Sequence, residues 1–230
     1  VVAVDTESTT TEAEVDVTAM RFALLQELIE NAIALTQNTS ETRVGFYKSS
    51  AVENLQDYVT MAQEVIANRD LANLQAVYEL LYNEYNAVVA NEFSRVKFVP
   101  GSKYAIINKS GRIMSVLDDG KVTTVDGSSD YTSTELNQWK LERDVAFRVK
   151  NVGKNAYLQE VTDEDGIRFT VAETLVDYNI TEVGLGWYAL ACSKVPSRYM
   201  NKDGADATKV ITWGSSNDVN SQWKFILLSE

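Results

Sequence analysis

The chain has 230 residues, of which 45% are hydrophobic and 23% are charged, so it can bury a sizeable core. It has no histidine and a single cysteine, Cys192, which excludes Ser-His-Asp triads, Cys-His pairs, His-ligated zinc, internal disulfides and thiolate metal cages. The formal net charge of −12 argues against a broad phosphate-binding surface, and we expect no nucleic-acid partner.

Charged and turn-forming residues are distributed unevenly along the chain. Residues 1–96 carry 5 basic and 15 acidic side chains, whereas residues 97–230 carry 16 basic and 18 acidic ones. Both prolines and ten of the eleven glycines follow residue 96. Because glycine and proline concentrate in turns, this distribution predicts a helical first part and a strand-rich second part.

The first residues combine a short apolar start with a stretch that is rich in Thr and Glu and has little to bury. We expect residues 1–16 to form a weakly ordered leader that remained after a targeting segment was removed. Because such a segment directs export, the expected location is extracellular, either secreted or at a cell surface. No run in the chain approaches the ~18 apolar residues of a membrane span.

Residues 17–93 are predicted to form a three-helix bundle. Apolar residues recur there at spacings of three and four in three stretches, each preceded by a residue suited to cap a helix. The stretches span residues 22–35, 52–66 and 71–88. Short connections between amphipathic helices favour an antiparallel bundle.

This helical part resembles the FIVAR-type three-helix modules of bacterial surface proteins and secreted glycosidases. Residues 25–32, the turn at residues 45–47 and residues 52–66 carry the likeness, which extends over residues 18–92. The resemblance implies a spacer or a contact surface, and no catalytic residue carries over. We interpret the acidic outer face of the helices as a solvated surface.

Residues 104–230 contain a threefold repeat. Each repeat begins with an aromatic-led apolar segment, and the starts at Tyr104, Phe147 and Tyr188 lie 43 and 41 residues apart. Three further short segments follow in each repeat, separated by polar residues, which predicts four strands per repeat. The pattern favours a closed all-β architecture, because the competing propeller would have fewer blades than the usual four. The three repeats span residues 104–144, 145–186 and 187–230.

The closing segments of the repeats carry the most specific pattern. Repeats one and three close with Gln138-Trp139 and Gln222-Trp223, whereas repeat two has no such tryptophan. The pattern resembles the ricin-type, or R-type lectin, β-trefoils over nearly all of residues 97–230. It departs from that family in repeat two and in the motif itself, which is usually Gln-any-Trp.

These observations predict a multidomain α and β protein. An N-terminal three-helix bundle at residues 17–93 is followed by a linker at residues 94–103 and an all-β β-trefoil at residues 104–230. We predict no enzymatic activity, no cofactor and no metal site.

The resemblance to ricin-type trefoils implies one carbohydrate-binding site, in repeat three. In that family an acidic residue after the second strand, an aromatic residue at the end of the third and an amide before the closing strand bind the sugar. Carboxylates and amides suit this task because each can make two directed hydrogen bonds to hydroxyl groups. Repeat three supplies such a set at Asn201, Asp203, Trp213, Asn217 and Asn220.

The position of Trp213 can also be judged from strand periodicity. Val210 and Thr212 share one face of the predicted third strand, so Trp213 falls on the other face. Its counterparts in repeats one and two are Val125 and Ala172, and a core position tolerates such volume changes badly. Trp213 is therefore either a platform for a sugar ring or packed against its own loop or the helical module.

Other candidate chemical groups have simpler structural interpretations. The Asp-Glu-Asp-Gly stretch at residues 163–166 is a good turn former and lacks the regular ligand spacing of a calcium loop. A glycosidase pair of carboxylates is recognised by its separation in space, and nothing in the sequence singles out such a pair. Cys192 lies in an apolar, strand-like run and is predicted to be a small core residue.

Three functional hypotheses follow. The first is non-catalytic binding of a glycan or polysaccharide, with the helical module as a spacer or docking element. A surface protein is a further partner that this hypothesis allows. The second is a protein-protein interaction or scaffold module whose degenerate trefoil does not bind sugar. The third is an accessory fragment of a larger hydrolase. An exposed Trp213 beside polar partners would favour the first hypothesis over the second.

Overall fold

The chain folds into two compact units in the computed structural model. The helical unit comprises Val1–Glu41 and Tyr47–Arg95, and the trefoil unit comprises Thr42–Phe46 and Val96–Glu230. The short segment Thr42–Phe46, which we predicted within the bundle, thus belongs to the trefoil unit. The structure describes residues 9–128, 130–143, 146–163, 166–192 and 195–229.

Three helices form the helical unit, and each packs against the other two. Each helix buries one apolar stripe, with Leu25, Leu55 and Leu81 fully buried at its centre. The predicted three-helix bundle is therefore confirmed. The helices are α1 (Thr9–Thr36), α2 (Glu53–Asn68) and α3 (Leu74–Ala90).

Helix α1 begins earlier than the sequence pattern suggested. The structure differs from the expected leader over residues 9–16, which form the first turns of α1. The rest of the expected leader, residues 1–8, lies outside the described residues. In the described part of the chain, no helix is both long and apolar enough to cross a membrane.

The trefoil unit contains four strands in each repeat, as predicted. Repeat one has β1 (Lys103–Asn108), β2 (Ile113–Val116), β3 (Val122–Val125) and β4 (Gln138–Arg143). Repeat two has β5 (Phe147–Asn151), β6 (Ala156–Asp163), β7 (Gly166–Ala172) and β8 (Tyr178–Gly184). Repeat three has β9 (Trp187–Cys192), β10 (Tyr199–Lys202), β11 (Val210–Trp213) and β12 (Trp223–Ser229).

The first and last strands of the repeats close into a barrel. Strands β1, β4, β5, β8, β9 and β12 pair antiparallel in that order, and β12 pairs back with β1. The middle strands form three hairpins, β2–β3, β6–β7 and β10–β11, whose third strands meet at one end of the barrel. A six-stranded barrel with three hairpins is a β-trefoil, so the predicted fold class is confirmed.

The closing strands place large aromatic side chains in the barrel core. Trp139 and Trp223 are fully buried. Their indole Nε1 atoms donate to the backbone oxygens of Met114 (3.0 Å) and Met200 (2.9 Å), in the second strand of the same repeat. Tyr178 begins the closing strand of repeat two and is also fully buried. Tyrosine thus takes the place of the missing tryptophan.

An asparagine at the end of the first strand holds the closing segment of a neighbouring repeat. In repeat one, Asn108 Nδ2 donates to the Asn220 carbonyl (2.8 Å), and in repeat two, Asn151 Nδ2 donates to the Leu136 carbonyl (2.9 Å). Repeat three has the buried Cys192 in this place, which confirms its prediction as a core residue. Cys192 lies beside the closing strand of repeat two, which lacks the tryptophan motif.

The barrel end opposite the hairpins is filled by Phe98, which precedes β1. Its ring centroid lies 6.1 Å from that of Tyr104, 5.2 Å from that of Phe147 and 5.1 Å from that of Tyr188. These three residues begin the three repeats, so Phe98 lies near the pseudo-threefold axis. The predicted linker therefore supplies a partly buried aromatic residue that packs against the barrel core.

The segment Thr42–Phe46 extends the sheet beside β12. The backbone N–H of Val44 donates to the carbonyl of Phe225 (3.0 Å). Phe46 packs so closely on Gly186 that a Cβ atom there would lie 2.6 Å from the Phe46 ring. Gly186 also has a φ of +64°, so both its conformation and its neighbour require glycine.

Candidate functional site

The β10–β11 hairpin of repeat three presents a mixed aromatic and amide face. Tyr199 lies opposite Trp213, and Asn201 lies opposite Ile211. Cross-strand partners share a face of the sheet, and the intervening pair, which includes the buried Met200, faces the core. The side chains of Tyr199, Asn201 and Trp213 therefore share the outer face of this hairpin.

Trp213 is the most exposed large side chain of this face. It exposes 52% of its surface, whereas Tyr199 is half-buried. The indole is therefore not sealed beneath its own loop, which was the alternative that the sequence left open. An exposed indole offers a flat apolar surface at the edge of a polar region.

Asn201 links the hairpin to the segment that precedes the closing strand. It is buried, and its Nδ2 donates to the Ser221 hydroxyl at 2.9 Å. Ser221 ends the short 3-10 helix Val219–Ser221, which begins with the Asp218 carboxylate accepting from the Asn220 N–H at 2.7 Å. Asn201 also lies diagonally across the hairpin from Trp213. Diagonal neighbours in an antiparallel pair are generally about 7–8 Å apart.

The backbone carbonyls of Asn217 and Asn220 both accept hydrogen bonds from side chains. The Gln222 side chain donates to the Asn217 carbonyl (3.2 Å), and Asn108 donates to the Asn220 carbonyl (2.8 Å). The Asn220 amide lies beside Gly204, with Nδ2 3.7 Å from the position of a Cβ atom on that glycine. Gly204 thus leaves room for the Asn220 side chain next to the end of β10.

Asp203 lies at the other end of this face from Trp213. Its N–H donates to the Lys209 carbonyl (2.9 Å), and its carboxylate accepts from the Ala205 N–H (2.9 Å) in the hairpin turn. Asp203 follows Tyr199, the cross-strand partner of Trp213, by four residues, which corresponds to about 13 Å along a strand. The face therefore has Trp213 at one end, Asn201 in the middle, and Asp203 with Asn220 at the other.

The corresponding hairpins of repeats one and two lack the aromatic platform. Ser115 and Val125 take the places of Asn201 and Trp213 in repeat one, and Gln159 and Ala172 take them in repeat two. Within the described residues, repeat three alone combines an exposed aromatic with amides at these positions.

Two residues of the face were missed by the sequence reasoning. Tyr199 is paired with Trp213, and Ser221 receives the hydrogen bond from Asn201. The period of two residues in a strand, combined with a predicted hairpin register, would have placed Tyr199 on the same face. The contact of Ser221 with β10 depends on tertiary packing and has no local signal.

No group of three or more Asp, Glu, Cys or His side chains that could hold a metal ion occurs among the described residues. The acidic stretch weighed as a calcium loop falls largely outside this part of the chain, because residues 164–165 and the Asp163 side chain are not described.

Comparison with known structures identifies proteins with a similar fold. A ricin B-like lectin of Macrolepiota procera, solved in complex with lactose, has a TM-score of 0.50 and 18% identity, over 56% of this chain and 98% of that lectin. The Rhizoctonia solani agglutinin has a TM-score of 0.49 and 17% identity, over 56% of this chain and 97% of that one. An endo-β-galactosidase of Clostridium perfringens that releases GlcNAcα1-4Gal has a TM-score of 0.48 and 17% identity, over 56% of this chain and 33% of the enzyme.

These similarities are structural and distant in sequence. No protein-family model matches the chain, and no curated protein matches it. At 18% identity, the likeness to the lactose-bound lectin shows the fold alone. The second half of the chain is a trefoil of the kind found in ricin B-like lectins.

Proposed function

We propose that this chain is a non-catalytic carbohydrate-binding protein whose site is the outer face of the β10–β11 hairpin. The observation that carries the proposal is the half-exposed indole of Trp213 on the outer face of the β10–β11 hairpin. The lactose complex of the similar lectin supports a glycan as the ligand class.

The face supplies the two components that sugar binding needs. The Trp213 ring can stack against the C–H face of a pyranose. The carboxylate of Asp203 and the amides of Asn217 and Asn220 can exchange hydrogen bonds with sugar hydroxyls. The buried Asn201 instead holds the segment before the closing strand through Ser221. Because Asp203 lies about 13 Å along the strand from Trp213, the face suits a ligand longer than one sugar ring.

A shallow site of this kind gives weak affinity by itself, about millimolar to micromolar, so tethering or several copies would strengthen binding. The helical unit, with its FIVAR-like pattern, fits the role of a spacer or docking element. We propose a secreted or cell-surface location for such a protein, in keeping with a glycan as its ligand.

A glycan-array screen of the wild type beside Trp213→Ala tests the proposal. We expect a disaccharide or longer glycan to bind the wild type and to lose at least about tenfold in affinity with Trp213→Ala, because the stacking surface is removed. Phe93→Ala is the matched control, since Phe93 is an exposed aromatic of the helical unit (72% exposed). Circular dichroism should show that all three proteins are folded.

Each pattern of binding has a distinct meaning. A hit retained by Trp213→Ala would preserve sugar binding but overturn this site. Equal losses in Trp213→Ala and Phe93→Ala would point to non-specific adsorption through exposed aromatic rings.

The scaffold hypothesis is the second candidate. It is favoured by the absence of the platform in repeats one and two, where Val125 and Ala172 replace the tryptophan. A broad array without any hit would favour it, and the search would turn to a protein partner.

A further inference from the structure

The three repeats place a cation at the same position around the barrel axis. Lys121, Arg168 and Lys209 each come directly before the buried core residue of the third strand. Isolated bridges join the third strands in a cycle, pairing Lys121 with Thr170, Arg168 with residue 211, and Lys209 with residue 123. In every pair, the residue opposite the cation lies two positions after the equivalent cation of the other repeat. The three cations are therefore related by the pseudo-threefold axis.

A cavity of about 650 Å³ opens at this end of the barrel. All three cations line it, together with Arg112 from the loop before β2. Its volume falls in the range of about 300–1,000 Å³ that is typical of small-molecule sites. Each repeat contributes to the wall, so the cavity belongs to the pseudo-threefold axis.

Arg112 is held rigidly at the edge of the cavity. Its Nε donates to the Thr124 hydroxyl (2.9 Å), and its Nη2 donates to the Thr124 carbonyl (2.8 Å). Asp126, which also lines the cavity, interacts with this guanidinium. A fixed guanidinium loses little conformational freedom when it binds an anion.

Lys121 and Lys209 have carboxylate partners at the protein surface. Lys121 Nζ lies 3.0 Å from Asp119, and Lys209 Nζ lies 3.7 Å from Asp206. Each of these four side chains exposes 41% or more of its surface. Exposed pairs of this kind contribute little to stability, so a ligand with several negative charges can compete for the lysines.

We propose that this axial cavity binds a compact polyanion that carries several tetrahedral oxyanion groups, as phosphate or sulfate esters. Cations from three directions match a ligand whose charges are spread around a small ring. The guanidinium groups of Arg112 and Arg168 suit such oxyanions, because they can donate two parallel hydrogen bonds. The proposal uses none of the residues of the glycan site and does not depend on it.

Titration calorimetry in 0.15 M NaCl tests the proposal with two probes, myo-inositol hexakisphosphate and sucrose octasulfate. We expect the wild type to bind at least one of them, and K121Q/R168Q/K209Q to bind it at least about thirtyfold more weakly, since a hydrogen bond to a charged group is worth about tenfold in affinity. The tighter probe identifies phosphate or sulfate as the preferred group.

The matched control removes three cations elsewhere on the barrel, in K103Q/K140Q/K150Q. It should retain wild-type affinity to within about threefold, because screening weakens charges at a distance. Equal losses in both triple variants would indicate general charge attraction and would overturn the proposal, as would a wild type that binds neither probe. Trp213→Ala should bind the polyanion normally, which separates this test from that of the glycan site.

A second measurement avoids dependence on the fold of the variant. Methyl resonances of Val122 and Val210, which line the cavity, should shift on addition of the polyanion to the wild type. Shifts confined to the outer hairpin face at Trp213 would place the ligand there and overturn the axial site.

Discussion

Repeats two and three are built on the same strand plan but differ sharply on their outer faces. Inside the barrel, Leu158 of repeat two and Met200 of repeat three are both fully buried at equivalent positions. Outside, Ala172 of repeat two stands where repeat three has the half-exposed Trp213. Core positions must keep their volume because the interior is close-packed, whereas an outer face can change freely and acquire a binding surface.

The closing strands of the two repeats also differ, and this difference lies within the core. Trp223 fills its place and donates to the Met200 carbonyl. Tyr178 fills the equivalent place in repeat two, but its hydroxyl has no hydrogen-bond partner among the described residues. Burial also raises the pKa of the Tyr178 hydroxyl far above its ordinary value. Repeat two therefore keeps the aromatic volume of the core without the hydrogen bond.

The largest expected effect follows from removing a tryptophan of the core. Trp223→Ala should reduce the free energy of unfolding of the trefoil unit by about 3–5 kcal/mol, because it leaves a cavity. The loss also leaves the Met200 carbonyl without its donor. Calorimetry of thermal unfolding would measure it as a lower transition temperature.

Tyr178→Phe is the counterpart in repeat two. It keeps the ring and removes a hydroxyl that has no described partner, so stability should stay the same or rise by up to about 1 kcal/mol. A destabilisation as large as that of Trp223→Ala would contradict the difference between the two closing strands.

The next effect concerns the residue at the end of the first strand. Asn108→Ala should cost about 1–3 kcal/mol, because it removes the side-chain donor of the Asn220 carbonyl. Cys192→Ala, at the equivalent place in repeat three, should cost about 1 kcal/mol, as expected for the loss of a small buried group. Denaturant titration of both variants gives the comparison, and a larger cost for Cys192→Ala would reverse it.

Periodicity and spacing were enough to predict the fold. The starts of the three repeats at Tyr104, Phe147 and Tyr188 fall within one residue of the starts of β1, β5 and β9. The short strands follow from this spacing because each repeat must bury the same set of core residues. The alternation of buried and exposed residues along a strand involves only residues close together in sequence, so the sequence itself reveals it.

Features that depend on distant parts of the chain were not predictable. Phe98 and Thr42–Phe46 join the trefoil through contacts with residues far away in sequence, so no local pattern marks them. The three axial cations, in contrast, have a pattern in the sequence. Lys121, Arg168 and Lys209 each precede the third apolar segment of their repeat. Comparing polar positions between repeats would have found them.

The smallest expected effect is a pH-dependent one in repeat two. Glu160 occupies the place of Val116 in repeat one and Lys202 in repeat three. Burial raises the pKa of Glu160 above its usual range, although the nearby Arg198 partly opposes the shift. The folded state thus disfavours the carboxylate, so stability from this group is complete below the unfolded pKa of about 4.3 and is lost as pH rises.

Glu160→Gln should therefore be more stable than the wild type at pH 7, and the difference should vanish near pH 4. Because Glu160 is only partly buried, water limits the gain at pH 7 to less than about 1 kcal/mol. Thermal unfolding measured at both pH values tests this, with Glu173→Gln, an exposed acid of the same repeat, as the control. A gain at pH 4 equal to that at pH 7 would show that the buried charge is not its cause.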